Sequence, residues 1–111
     1  MSAFNSLNSV PASANPFTLT QVLRKEWGFR GMVVSDWSSI GELVAHGIAA
    51  DDETAARKAF LAGVDMDMAS SLYHDQLAQL VHSGAVPEAN IDEAVRRILR
   101  VKLALARGQS I

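Results

Sequence analysis

Gly28-Phe29-Arg30-Gly31-Met32-Val33-Val34-Ser35-Asp36-Trp37 is the stretch that decides how this chain is read. Two glycines bracket a turn, a short β-branched run follows, and the run stops at an acid beside an aromatic. A short apolar run bounded by turn residues has the signature of a buried parallel strand. In α/β folds, ligands bind and chemistry is done at the carboxyl ends of such strands. A carboxylate placed there with an indole beside it supplies a charged nucleophile and a flat apolar platform, which a sugar-cleaving site needs. Asp36 and Trp37 are therefore the first candidate site residues.

Working outward, strands and helices alternate. Met1 to Phe4 is a short apolar start, followed by a polar loop holding Pro11 and Pro16. Thr18 is expected to cap a helix in which Leu19, Val22, Leu23 and Trp27 share one face, and Gly28 to end it. Ile40 to His46 predicts a short helical turn closed by Gly47. Asp51, Asp52 and Glu53 place negative charge where a helix begins, with Ala55, Ala56, Ala59 and Phe60 as its buried stripe and Gly63 as its stop. Val64 to Met68 predicts another strand, interrupted by Asp65 and Asp67.

Two helices finish the chain. Ser70 or Ser71 is expected to cap one carrying Leu72, Leu77, Leu80 and Val81 and ending at Gly84. After Pro87, Asn90 and Glu93 have capping-box spacing for the last. That helix places Ile91, Ala94, Val95, Ile98, Leu99 and Leu105 on one side and a solvated flank of Arg96, Arg97 and Arg100 on the other. The order predicts an α/β fold of about three βα units, with parallel strands at Met1–Phe4, Met32–Ser35 and Val64–Met68 joined by crossover helices. Parallel sheets are normally covered on both faces, so such a piece is expected to self-associate or to pair with a complementary half.

Composition removes several function classes. At 111 residues and 49% hydrophobic, the chain is one globular domain or a piece of one. Its net charge of −2, with both signs interspersed, offers no basic footprint for nucleic acid and no polybasic patch for a membrane surface. No apolar stretch approaches the roughly 20 residues of a membrane span. The absence of cysteine excludes disulfides and thiolate metal sites. His46, His74 and His82 lack metal-ligand spacing and read as surface residues, so no cofactor is expected. The N-terminus has no signal-peptide pattern.

Several motifs, in register, carry a family resemblance. They are Ser2-Ala3-Phe4-Asn5-Ser6-Leu7-Asn8, Leu23-Arg24-Lys25-Glu26-Trp27-Gly28-Phe29, Val33-Val34-Ser35-Asp36-Trp37, Ala62-Gly63-Val64-Asp65-Met66-Asp67-Met68 and Arg96-Arg97-Ile98-Leu99-Arg100-Val101-Lys102. In this order the chain, from about Met1 to Leu105, resembles glycoside hydrolase family 3 and within it the bacterial periplasmic β-glucosidases. The resemblance implies the last three eighths of an N-terminal (β/α)8 barrel. Such a barrel needs ~250 residues, so three eighths is about 94. It also implies a chain cut upstream of Met1 and downstream of the divergent tail 106–111, and a periplasmic or secreted setting.

By the same resemblance Asp36 aligns with the catalytic nucleophile of a retaining mechanism, Trp37 with an aromatic at the mouth of the sugar site, and Met68 with a methionine near the bound sugar. Phe4 stands where tyrosine is frequent, and Ser9 where glycine is usual. Asp65 and Met66 are assigned to packing and strand-end hydrogen bonds. The acid/base carboxylate of the family comes from a second domain, so the implied substrate, a β-glucoside or oligosaccharide, is turned over only by the intact enzyme. Two alternatives remain. One is a non-catalytic α/β unit of folding or assembly, since an acid at a strand end also serves as a helix cap. The other is the β-N-acetylhexosaminidase branch, which tends to carry a polar residue where this chain has Trp37.

Overall fold

A computed structural model describes residues 1–109. Two short strands, β1 (Ser6–Leu7) and β2 (Val10–Pro11), precede a 3-10 turn at Ala12–Ala14 and a π-helix at Phe17–Glu26. Four α-helices follow: α1 (Glu42–Ala45), α2 (Asp52–Ala62), α3 (Leu72–His82) and α4 (Glu88–Ala106). β1 and β2 pair antiparallel, Ser6 opposite Pro11 and Leu7 opposite Val10. The turn between them holds Asn8 and Ser9 at φ 51° and 63°, the left-handed pair that a two-residue hairpin requires.

α2 is the hub of the core. The Asp51 side chain accepts a hydrogen bond from the Thr54 amide at 2.8 Å, and this bond holds its carboxyl below the usual carboxylate range. Ala55, Ala56, Ala59 and Phe60 form the buried stripe that the sequence predicts. Ile40, Leu43, Val64, Leu80 and Val86 pack into the same cluster. Gly63 ends α2 at φ 119°, where a Cβ would stand 3.2 Å from Thr20 Oγ1. Thr20 Oγ1 itself donates to the Ala62 carbonyl at 2.9 Å, so only glycine lets the helix end dock on the π-helix so closely.

The expected strands form only in part. Met32–Ser35 and Val64–Met68 lie side by side and share one parallel bridge, Val34 to Met66. Asp65 N–H donates to Val33 O at 2.8 Å, and Ser35 N–H donates to Met66 O at 2.9 Å. Ser2 N–H donates to Val34 O at 2.9 Å, which lays the N-terminal segment along the other edge. A continuous three-stranded parallel ladder is not formed; the one regular sheet among the described residues is the antiparallel β1–β2 pair. Each run is only four or five residues long, and the chain turns away after one bridge.

Several local expectations are corrected. The first helix forms, but with π-type bonding, Trp27 N–H donating to Val22 O. The wider turn shifts the register of its faces, and Trp27 is 75% exposed instead of joining Leu19 in the core. Asn15, not Thr18, caps it: Asn15 Oδ1 accepts from the amides of Phe17 at 3.0 Å and Thr18 at 3.3 Å. At α3, neither Ser70 nor Ser71 caps; Asp67 Oδ2 accepts from the Tyr73 amide at 3.3 Å. α4 starts at Glu88 behind Pro87, so Asn90 lies inside the first turn and Glu93 pairs with Arg96 at 2.8 Å instead of closing a capping box. On the apolar side of α4 only Ala94 is buried, while Val95, Leu99 and Leu105 are exposed.

The arginine flank is not wholly solvated either. Arg97 Nη1 donates to Asp65 Oδ1 at 2.8 Å, and Arg24 Nη2 donates to Asp65 Oδ2 at 2.6 Å. Asp65 Oδ2 also accepts from the Val33 amide at 2.9 Å, and the Asp65 side chain is 2% exposed. A charge this buried needs partners. Removing the carboxylate strands two guanidinium groups and one amide, so Asp65→Ala is expected to lose roughly 3 kcal/mol. Arg97→Met, at a more accessible site, is expected to lose about 1 kcal/mol or less. Urea unfolding of the three proteins checks both values and their order.

Tyr73 gives a second handle on stability. Its ring meets Phe60 edge-on, centroids 5.4 Å apart, and its hydroxyl donates to the Val64 carbonyl at 2.8 Å. Burial, with the charges of Asp67 and Asp65 behind it, pushes the phenol well above its ordinary 10. The folded state therefore favours the protonated phenol. The stability this contributes is complete below pH ~10 and is lost as pH rises through the higher folded value. Wild type should exceed Tyr73→Phe by about 1 kcal/mol near neutrality. That advantage should shrink in alkali, as urea midpoints taken across the pH range will show.

Candidate active site

The segment Met32–Ser35 delivers Asp36 and Trp37 to one end of the paired segments. Asp36 is half-buried; its Oδ1 accepts from the Trp37 amide at 2.7 Å, and its carbonyl accepts from Ser39 N–H at 3.2 Å. Among the described residues its other carboxylate oxygen has no hydrogen-bond partner. One oxygen is thus tethered and the other is not. Trp37 is 68% exposed, its ring offered to solvent rather than to the core.

Met68 is brought to the same place through its backbone. Its N–H donates to Ser35 Oγ at 2.8 Å, and its carbonyl accepts from Ser38 N–H at 2.8 Å. Phe4, 45% exposed, lines a small crevice with Ser13, Ser39 and His46, beside the turn that follows Asp36. A chain of hydroxyls supports that turn from beneath. Ser2 Oγ and Ser13 Oγ are 2.8 Å apart, as are Ser13 Oγ and Ser39 Oγ, and all three residues are buried. The backbone of Met68 is therefore bonded on either side of Asp36 and Trp37, whereas Phe4 lines a crevice that neither Asp36 nor Met68 lines.

Asp65 and Met66 divide their expected role. Asp65 supplies packing and hydrogen bonds in full, whereas Met66 contributes backbone bonds while its side chain is 42% exposed. The histidines lie at the surface, His74 against Asp75 at 2.8 Å and His46 against Glu42 at 3.5 Å. Among the described residues no group of three or more His, Cys, Asp or Glu could hold a metal ion, and no helix is long and apolar enough to cross a membrane. Two larger concavities, about 620 and 390 Å³, are lined by Val10, Ile48, Arg57 and Leu61 and by Arg30, Arg100 and Leu103; Asp36 lines neither. Its setting is an open surface. Ser35, Ser38 and Asp67 escaped the sequence reading, although a serine inside an apolar run is a signal that its hydroxyl has a partner.

Residues 1–101 match the profile of the glycosyl hydrolase family 3 N terminal domain. A periplasmic beta-glucosidase of Salmonella typhimurium is 51% identical over 102 residues, covering 92% of this chain and 13% of that protein. A putative beta-xylosidase of Formosa agariphila is 38% identical over 106 residues, covering 95% of this chain and 14% of that protein. The beta-glucosidase from Listeria innocua, solved also in complex with glucose, superposes with a TM-score of 0.91 at 38% identity, covering 93% of this chain and 14% of that one. The chain spans about one seventh of the length of the relatives it matches. With the profile running through its first 101 residues, the chain belongs to glycosyl hydrolase family 3.

Proposed function

We propose that this chain is the nucleophile-bearing part of a retaining β-glucosidase, the last three eighths of its catalytic barrel. The observation that carries the reading is Asp36: a half-buried carboxylate at the end of a pinned segment, with one oxygen tethered and one free. Attack on an anomeric carbon needs an ionised oxygen held in place and unencumbered. Trp37, exposed at its side, offers an indole face for the C–H face of a pyranose. Met68 and Phe4 take the flanks of the same subsite. The likeness to beta-glucosidases, one of them solved with glucose, supports a glucoside as substrate, and the periplasmic relative supports a periplasmic or secreted setting.

Retention requires a second carboxylate ~5–5.5 Å from the first to protonate the leaving oxygen. Asp51, Asp52 and Glu53 are committed to the N-terminus of α2 and are not assigned that role. The acid, and the groups that grip the sugar hydroxyls, belong to other parts of the intact enzyme. Without them the nucleophile must expel an unprotonated leaving group.

Two measurements test this division of labour. In an intact enzyme carrying this stretch, Asp36→Asn should lower turnover of an aryl β-glucoside on the order of 10³-fold or more, with little change in melting temperature. Retention of even about a tenth of the activity would remove Asp36 from the role. The 111-residue chain alone should release no phenol from an activated aryl β-glucoside above an Asp36→Ala control. Saturable release above that control would show that these residues rebuild a working site by themselves.

A further inference from the structure

We infer that Ser35 is a positioning residue of this site, its buried hydroxyl holding the 68–71 loop in register with the segment that bears Asp36 and Trp37. The inference rests on the reading of Asp36 and Met68 given above. Ser35 is 0% exposed, and its Oγ accepts the Met68 amide at 2.8 Å. Three residues on, the Ser38 amide donates to the Met68 carbonyl at 2.8 Å. Both peptide groups of Met68 are therefore committed to the residues that flank Asp36 and Trp37, one on each side. A rotation of the Met68 backbone cannot occur without breaking one of the two bonds.

The loop is held at its base as well. Asp67 accepts from Ser70 Oγ at 2.6 Å and from the Tyr73 amide at 3.3 Å, closing Met68, Ala69 and Ser70 into a knot. Inside that knot Ala69 stands at φ 69°, Ser71 at φ 62°, and the facing Ser38 at φ 54°. Left-handed backbone at residues other than glycine is strained, and it persists only where the surroundings over-determine it. Here the surroundings are the clamp on Met68 and the Asp67 knot. Three strained residues gathered at one end of the fold, beside the free carboxylate, are the pattern expected of a pre-organised binding surface.

Volume does not explain the serine. Alanine would fill the site almost as well, but it would leave the Met68 amide with no acceptor. The hydroxyl is there to receive that amide. Through it, Met68 and Trp37 are set relative to Asp36, and displacements of about 1 Å in such a set are costly to binding and rate.

Amide hydrogen exchange on the full chain reads the clamp directly. In wild type the Met68 and Ser38 amides should be protected to a similar degree, because both open when the loop lifts. Ser35→Ala should speed exchange at both by about tenfold or more and leave the Asp65 amide, at the other end of the paired segments, unchanged. Ser35→Thr, which keeps the hydroxyl, should restore protection. In an intact enzyme carrying this stretch, Ser35→Ala should lower kcat/KM about tenfold, chiefly through KM. An unprotected Met68 amide in wild type, uniform acceleration of all core amides, or an unchanged kcat/KM would each overturn the proposal. The two readings fail separately. An Asp36→Asn enzyme that stays active would remove the nucleophile and leave the exchange pattern intact, whereas an unmoved Met68 amide would remove the clamp and leave Asp36 in place.

Discussion

Four parts of the chain depend on one carboxylate. Asp65 lies in the paired segments, accepts the Val33 amide from the neighbouring one, and binds Arg24 from the π-helix and Arg97 from α4. Arg24 extends the junction by donating to Gly31 O at 3.0 Å and Gly63 O at 3.3 Å, the residues that lead into the two segments. Burial lowers the guanidinium pKa and the Asp65 charge opposes that shift, so the ion pair is what makes a charged Arg24 tolerable there. Among the described residues its buried Nε has no hydrogen-bond partner, a residual cost of placing a five-donor group in a crowded junction. The junction gains little from its charges in themselves, because desolvation cancels much of their attraction. What it gains is definition: the carboxylate is satisfied by partners from three other parts of the chain at once.

With one end of the paired segments fixed, the other end is free to carry chemistry. Hydrogen bonds run in sequence from the Asp65 junction through the Val34–Met66 bridge to the Ser35 and Ser38 bonds with Met68. The hydroxyl chain Ser2–Ser13–Ser39 ties the N-terminal segment and the 3-10 turn to the residues just past Asp36. Small polar side chains do this work because a serine satisfies backbone groups without taking space from the core. The cost of that economy appears as left-handed backbone at Ser38, Ala69 and Ser71.

The helices were legible wherever local chemistry decides them. The Asp51 carboxylate caps the start of α2, the left-handed backbone of Gly63 ends it, and the alanine stripe between them is buried. Legibility ended where a distant partner intervenes. Arg97 has the spacing of a solvated flank, and only the fold brings Asp65 to it. Thr18 and Ser71 have the chemistry of caps, but Asn15 and Asp67 reach the orphan amides first. Trp27 fits an α-helical stripe and is turned outward by π-type bonding that periodicity does not reveal. The expected parallel strands did not form: the 32–35 and 64–68 runs share one bridge and a few further bonds, because a ladder also depends on neighbours on both edges. The one regular sheet among the described residues is the Ser6–Leu7 and Val10–Pro11 hairpin, in what reads as a polar loop. At the site, the position of Asp36 followed from the abrupt end of an apolar run. The bonds that organise its surroundings did not, because they join residues some 30 apart in sequence, such as Ser35 and Met68.

Those bonds separate two requirements of a retaining glycosidase. Holding a carboxylate in place takes few residues: Trp37 and Ser39 bond to Asp36 itself, and Met68 bonds to Ser35 and Ser38 on either side of it. Protonating a leaving group and gripping a sugar are not local, because they need groups facing Asp36 across the width of a pyranose. On the reading proposed above, this stretch, one seventh the length of its relatives, places the nucleophile and the rest of the reaction belongs to the intact enzyme. The openness of the site follows from the same asymmetry. Trp37 is exposed and Asp36 half-buried, and the bonds that hold the two residues in place do not enclose them. On that reading placement and enclosure are physically separable, and the bonds around Asp36 serve the first.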